Sequence, residues 1–209
     1  MAAAQPDPNR SVWVMEGAAP EPAPALRGRL VTDVAIVGGG FSGLSCPRAL
    51  RRKNRGPGVA LLEAGVLGQG ASGRNGGQVL NWVNGVDPQT PEELRLVHGA
   101  TKAGIDLAEQ LASRHAPPGT FRRQGALTVY TDLRRSEAAA AHVEELARAG
   151  IPAELVPGSR LGIRGAHGAV LDPLAGRLNG FALLQAMPAK WPFLDDLLGK
   201  LEMVLAKAD

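Results

Sequence analysis

Between Thr32 and Glu63 an apolar strand run, a glycine-rich turn and a lone carboxylate follow one another at a spacing that few folds can use. Thr32–Val37 reads Thr-Asp-Val-Ala-Ile-Val, and Gly38-Gly39-Gly40-Phe41-Ser42-Gly43 follows at once, a match to G-x-G-x-x-G. A second apolar run, Val59-Ala60-Leu61-Leu62, ends in Glu63, and 63 − 43 = 20 residues separate the last glycine of the motif from that acid. This is the spacing of a βαβ unit whose carboxylate grips an adenosine ribose. The pattern needs glycine for physical reasons. A pyrophosphate must be met by donors, and a helix N-terminus offers unpaired N–H groups and a positive dipole end. Gly38 permits the tight turn out of the strand, Gly40 lets the backbone come against the phosphates, and Gly43 lets helix and strand pack closely. Glu63 accepts from ribose hydroxyls and repels a 2′-phosphate, which disfavours NADP. Pro47 falls inside the expected helix, where it removes one N–H and predicts a kink or a shortened helix at a cost of ~3 kcal/mol.

A second glycine-rich stretch, Gly68-Gln69-Gly70-Ala71-Ser72-Gly73-Arg74-Asn75-Gly76-Gly77-Gln78, begins five residues after Glu63. An NAD-binding domain would continue there into another strand–helix unit. A loop of small residues instead brings several backbone N–H groups against a ligand, with Ser72, Arg74 and Asn75 as added donors; composition alone equally allows a flexible surface loop.

The rest of the chain reads more coarsely. Residues 1–30, rich in Ala and Pro, form an extended leader, with Trp13 as its anchor against the body of the protein. Thr90-Pro91-Glu92-Glu93 is a capping-box helix start, and Leu94, Val97, Gly104, Leu107, Ala108 and Leu111 mark one face of a helix ending near Arg114. Pro117-Pro118-Gly119 breaks the chain. A strand is expected over Gly125–Thr131, a helix over Ser136–Ala149, and a short strand over Ala153–Val156. Gly162–Gly180 reads as irregular, with a turn at Asp172-Pro173. Leu194, Leu197, Leu198, Leu201, Val204 and Leu205 form an amphipathic stripe near the C-terminus.

The net charge of +3 and the lack of aromatics among the basic run Arg51-Arg52-Lys53-Asn54-Arg55 argue against a nucleic-acid partner; cations suit a helix C-terminus. Cys46 is the only cysteine, so no internal disulfide forms and a reducing compartment follows. With no signal peptide and no apolar run of spanning length, the reading is a cytoplasmic protein without a transmembrane segment. His98, His115, His142 and His167 lack metal-ligand spacing and read as surface or helix-face histidines, so no metal site is expected.

Three segments together, Asp33–Ser45, Leu61–Ala64 and Gly70–Gln78, closely resemble the N-terminal region of FAD-dependent oxidoreductases of the D-amino-acid oxidase family, in particular its γ-glutamylputrescine oxidase-like branch. Arg123–Leu127 and Leu171–Asn179 resemble the same branch. The resemblance implies an α/β fold: a Rossmann-like FAD-binding portion over 31–115 and the start of an α+β substrate domain over 116–185; the apolar stripe, outside the resemblance, makes 186–209 a divergent amphipathic helix. It implies FAD as cofactor. Gly38, Gly40, Phe41, Ser42, Gly43, Glu63 and Ala64 would hold its ADP half, and Gly70, Ala71, Ser72, Arg74, Asn75, Gly76, Gly77 and Gln78 would run along the pyrophosphate and ribityl chain. It implies oxidation of a C–N bond in a small amine or amino acid, with no base required if the amine binds unprotonated; no catalytic residue is named.

Family members are much longer, and the likeness fades after Gln185, where Met187-Pro188-Ala189-Lys190-Trp191-Pro192 is not expected to continue a helix. The chain is thus expected to be a truncated form, a fragment or a divergent product with a replaced tail. A non-catalytic flavin- or ADP-binding remnant and, less favoured, an NAD-dependent dehydrogenase stay open beside the amine oxidoreductase. Substrate, electron acceptor and oligomeric state are not legible in the sequence.

Overall fold

The computed structural model describes residues 11–15, 25–51 and 58–190. The basic run beyond Arg51 and the stripe from Leu194 to Leu205 lie outside the described residues, as do residues 1–10 and 16–24 of the leader. Two compact units form, each discontinuous in sequence: one from residues 1–77, 111–120 and 179–209, the other from 78–110 and 121–178.

The first unit is built on β1 (Val34–Val37), α2 (Phe41–Arg51) and β2 (Val59–Leu62). The two strands pair in parallel, with Val34 opposite Val59 and Val37 opposite Leu62. A parallel pair requires a crossover, and α2 supplies it. Leu44 and Leu61, at 1% and 0% exposure, are the buried contacts beneath the turn. α2 continues four residues past Pro47, so the proline does not end the helix there. Two shorter elements complete the unit. Within the leader, expected to be extended, Val12–Met15 form a helical turn, α1, and α5 (Gly180–Lys190) carries the buried residues Phe181, Leu183, Leu184 and Met187. α5 runs through Met187–Lys190, where the helix was expected to stop. Side chains buried along it outweigh the hydrogen bond lost at Pro188, because tertiary packing rather than propensity carries most helix stability.

The second unit holds two three-stranded antiparallel sheets. Their orders are β3 (Gln78–Val79), β8 (Gly176–Leu178), β4 (Phe121–Arg123), and β5 (Ala126–Tyr130), β7 (Gly168–Asp172), β6 (Glu154–Pro157). Both central strands, β7 and β8, fall in the stretch the sequence marks as irregular. Their glycines hide them: a Cβ on Gly168 would meet Ser136 Oγ at 2.7 Å and one on Gly176 would meet the Arg122 carbonyl at 2.6 Å. Asp172-Pro173 does form the link between them. α4 (Leu133–Arg148) starts three residues earlier than expected because Asp132 caps it, its carboxylate accepting from the Arg135 N–H at 2.9 Å.

α3 (Pro91–His115) crosses the boundary between the units, and its capping box is present: Thr90 Oγ1 accepts from the Glu93 N–H, and Glu93 accepts from the Thr90 N–H, both at 3.2 Å. Its buried face is Leu94, His98, Ile105 and Ala112, whereas Gly104 and Leu107 are exposed. With Ala, Gly and Leu spread around this helix, the apolar period does not define its phase.

Candidate cofactor site in the first unit

β1 delivers the chain into a turn at Gly38, whose φ of +102° lies in the region that favours glycine. Its N–H donates to the Leu62 carbonyl at 2.7 Å, which ties the turn to β2. Gly43, one turn into α2, comes so close that a Cβ there would run into the Gly38 carbonyl oxygen and touch Leu61 Cδ1 at 3.4 Å. The motif's last glycine therefore sets the distance between helix and turn.

Glu63 leaves β2 directly opposite this turn. One carboxylate oxygen accepts from the Gly39 N–H at 2.7 Å and the other from the Gly65 N–H at 3.0 Å. A carboxylate has about four acceptor positions, so two remain for hydroxyl donors. The first-turn N–H groups of α2 lack intrahelical acceptors. One of them, on Phe41, donates to Ser72 Oγ at 3.1 Å, and a Cβ on Gly40 would meet that same Oγ at 2.8 Å. Ser72 thus brings the second glycine-rich stretch against the first.

That stretch is an ordered loop. A 3-10 turn covers Ala71–Gly73. Arg74 Nε donates to the Gln69 carbonyl at 2.7 Å. Asn75 Nδ2 donates to the Ser72 carbonyl at 2.9 Å while Asn75 Oδ1 accepts from the Gly77 N–H at 2.9 Å. The amide of Asn75, expected to serve a ligand, organises its own loop in this structure. Gly38, Gly40, Phe41, Ser42, Gly43, Glu63 and Ala64 gather at the strand–helix turn, and Gly70, Ala71, Ser72, Arg74, Asn75, Gly76 and Gly77 form the loop beside it. Gln78 belongs to the second unit, where it opens β3 opposite Arg177.

Sequence reasoning missed several supports of this loop. Ser11 Oγ donates to the Gly73 carbonyl and Trp13 Nε1 to the Asn75 carbonyl, and Gln185 Nε2 reaches the Leu67 carbonyl. Of these only Trp13, the lone aromatic of the Ala- and Pro-rich leader, was expected as an anchor, without its partner. Asn179 caps α5 by accepting from the Ala182 N–H at 2.9 Å, for which the Asn-Gly pair before an apolar run is the available cue.

In the second unit, His98 is a helix-face histidine, on the buried side of α3. Thr101 Oγ1 donates to Asn81 Oδ1 at 2.7 Å, which turns the Asn81 amide nitrogen toward His98 Nδ1 at 3.0 Å. His98 Nε2 has no partner among the described residues. Burial holds its pKa below the usual histidine value, against the opposing pull of Asp172 and with a smaller push from His142. Arg123 lies between Asp106 and Glu109, at 2.8 and 2.6 Å, and also donates to the Leu174 carbonyl. Among the described residues no group of three or more His, Cys, Asp or Glu is arranged to hold a metal ion, and no helix is long and apolar enough to cross a membrane.

A crossover βαβ unit, a glycine turn at the helix mouth and a carboxylate hydrogen-bonded at that turn define a binder of an adenine dinucleotide. Residues 33–190 match the DAO family model, described as FAD dependent oxidoreductase. The chain belongs to that family, and its cofactor is FAD. One curated relative, gamma-glutamylputrescine oxidoreductase of Escherichia coli (strain K12), is 48% identical over 60 residues, 29% of this chain and 14% of the relative. A probable oxidoreductase OrdL of Rhizobium meliloti (strain 1021) is 49% identical over 55 residues, 26% of this chain and 12% of the relative. Among solved structures, glycine oxidase from Geobacillus kaustophilus superposes with a TM-score of 0.56 at 25% identity, covering 75% of this chain and 43% of that one. L-alpha-glycerophosphate oxidase from Mycoplasma pneumoniae, solved with FAD bound, gives a TM-score of 0.59 at 17% identity over 84% of this chain and 44% of that one, a likeness of fold. The chain thus matches less than half the length of these structures and a much smaller share of the curated relatives.

Proposed function

We propose that this chain provides the FAD-binding part of an oxidoreductase that oxidises a C–N bond of a small amine or amino acid. The observation that carries the proposal is the Glu63 carboxylate hydrogen-bonded to the Gly39 N–H at the mouth of α2, in a chain of an FAD-dependent family. In this reading Gly38, Gly40, Phe41, Ser42, Gly43, Glu63 and Ala64 hold the ADP half: Glu63 accepts from the ribose hydroxyls, and the first-turn N–H groups of α2 meet the pyrophosphate. Gly70, Ala71, Ser72, Arg74, Asn75, Gly76, Gly77 and Gln78 lie along the pyrophosphate and ribityl chain, with Arg74 adding positive charge. The antiparallel sheets of the second unit begin the substrate domain. Bound FAD supplies the acceptor for hydride from the C–H bond beside the substrate nitrogen, and water then hydrolyses the resulting imine. The free thiol of Cys46 supports a reducing, cytoplasmic setting.

The test is the visible spectrum of the purified chain before and after anaerobic addition of glycine, sarcosine, proline, putrescine and γ-glutamylputrescine. A flavin spectrum bleached by one of them supports the proposal; absence of any flavin after titration with FAD refutes it. A second reading is a chain that binds FAD without carrying out the oxidation. Bound flavin that no amine bleaches would select it.

A further inference from the structure

We infer that Ser11 and Trp13 are positioning residues that hold the 70–77 loop in its ligand-ready shape, a role that builds on the FAD reading above. The sequence separates them from the loop by 62 residues, yet Ser11 Oγ donates to the Gly73 carbonyl at 2.6 Å and Trp13 Nε1 to the Asn75 carbonyl at 2.7 Å. Trp13 is 6% exposed and its hydrogen bond is partly buried. α1 packs on α5, and α5 packs on the 3-10 turn of the loop. The loop has little room to yield on that side: a Cβ on Gly180 would meet the Ser72 carbonyl at 2.6 Å, and one on Gly73 would meet Phe181 at 3.0 Å.

The consequence is directional. A trans peptide is planar, so its carbonyl and the following N–H point opposite ways, and no described peptide is cis. By taking the Asn75 carbonyl, Trp13 aims the Gly76 N–H away from α1. Gly76 itself is exposed. The Asn75 side chain fixes the peptides on either side, donating to the Ser72 carbonyl and accepting from the Gly77 N–H. The leader therefore selects which way a backbone donor of the cofactor loop points.

The experiment compares the 209-residue wild type with Trp13→Phe, which keeps a ring but loses the donor, Ser11→Ala, and Ser11→Thr, which restores a hydroxyl. Amide hydrogen exchange at Arg74 and Gly77 in the FAD-free protein is read first. FAD titration by fluorescence quenching follows. Trp13→Phe and Ser11→Ala are expected to speed exchange at those amides about 10-fold and to weaken FAD binding ~2- to 10-fold, the range set by one lost hydrogen bond; Ser11→Thr is expected to match wild type. Unchanged exchange in both donor-deleted variants overturns the inference. Faster exchange with unchanged FAD affinity also overturns it, because the contacts would then serve stability alone. If wild type takes up no FAD, the FAD reading fails on its own, and the exchange comparison still decides whether the leader orders the loop.

Discussion

Replacing Gly43 by alanine pits two effects of opposite sign against each other. In a helix interior Gly→Ala ordinarily stabilises, by up to ~1 kcal/mol, since glycine gives up more backbone freedom. At Gly43 the new methyl would overlap the Gly38 carbonyl oxygen and press on Leu61 Cδ1. Both neighbours are rigid, one being backbone of the turn and the other a fully buried side chain. Overpacking of this kind costs about 1–3 kcal/mol, so the net effect is a loss of up to ~2 kcal/mol. For a chain of 209 residues each kcal/mol moves Tm by roughly 2–4 °C, which gives a fall of up to ~8 °C. Gly104→Ala in α3 is the control: a Cβ there meets nothing within 4 Å, so the propensity gain stands alone and Tm rises by ~1–4 °C. Thermal melts followed by circular dichroism at 222 nm read both. The collision also moves the turn that faces the ligand, so Gly43→Ala is expected to weaken FAD as well, whereas Gly104→Ala is not. Equal Tm gains in the two variants, with FAD affinity untouched, would refute the argument that the Gly38–Gly43 approach is what demands glycine.

Glu63→Gln replaces a charge-assisted acceptor with an amide whose NH2 must face a backbone N–H; the loss of ~1.5–3 kcal/mol per such bond predicts FAD binding weaker by about 10- to 100-fold, and a titration within twofold of wild type would contradict it. His98, kept neutral by burial, has a folded pKa below its unfolded value. Its contribution is therefore present above the unfolded value of about 6.5 and is lost as pH falls through the lower folded value. Urea midpoints between pH 7.5 and 5 should drop less in His98→Gln than in wild type. Arg123→Lys keeps the charge but loses the guanidinium's reach to Asp106, Glu109 and the Leu174 carbonyl. Because both carboxylates are nearly half exposed, solvent screens the pairs, so the drop in urea midpoint should be small and should shrink in 1 M salt; a difference indifferent to salt would point to packing.

The legible parts of this protein are those whose determinants are neighbours in the chain. The β1–α2–β2 crossover was readable because its glycines and its acid must sit at set intervals for a helix mouth to meet a phosphate. The α3 capping box was readable for the same reason, as Thr90 and Glu93 bond to each other's backbone. The phase of α3 was not, because its Ala, Gly and Leu residues suit either face, and burial of His98 depends on Asn81 and Trp82 from outside the helix. β7 and β8 escaped because each is short and opens on a glycine; each becomes a strand by pairing on both edges with other strands.

By itself the amino-acid order determined the ligand class of the first unit, since it specifies a turn, a helix start and a carboxylate within 32 residues. Tertiary structure alone decided what holds the second glycine stretch in place. The carbonyls of Gly73 and Asn75 are met by donors 62 residues away, and no local pattern can encode a partner that only chain folding brings within hydrogen-bond reach.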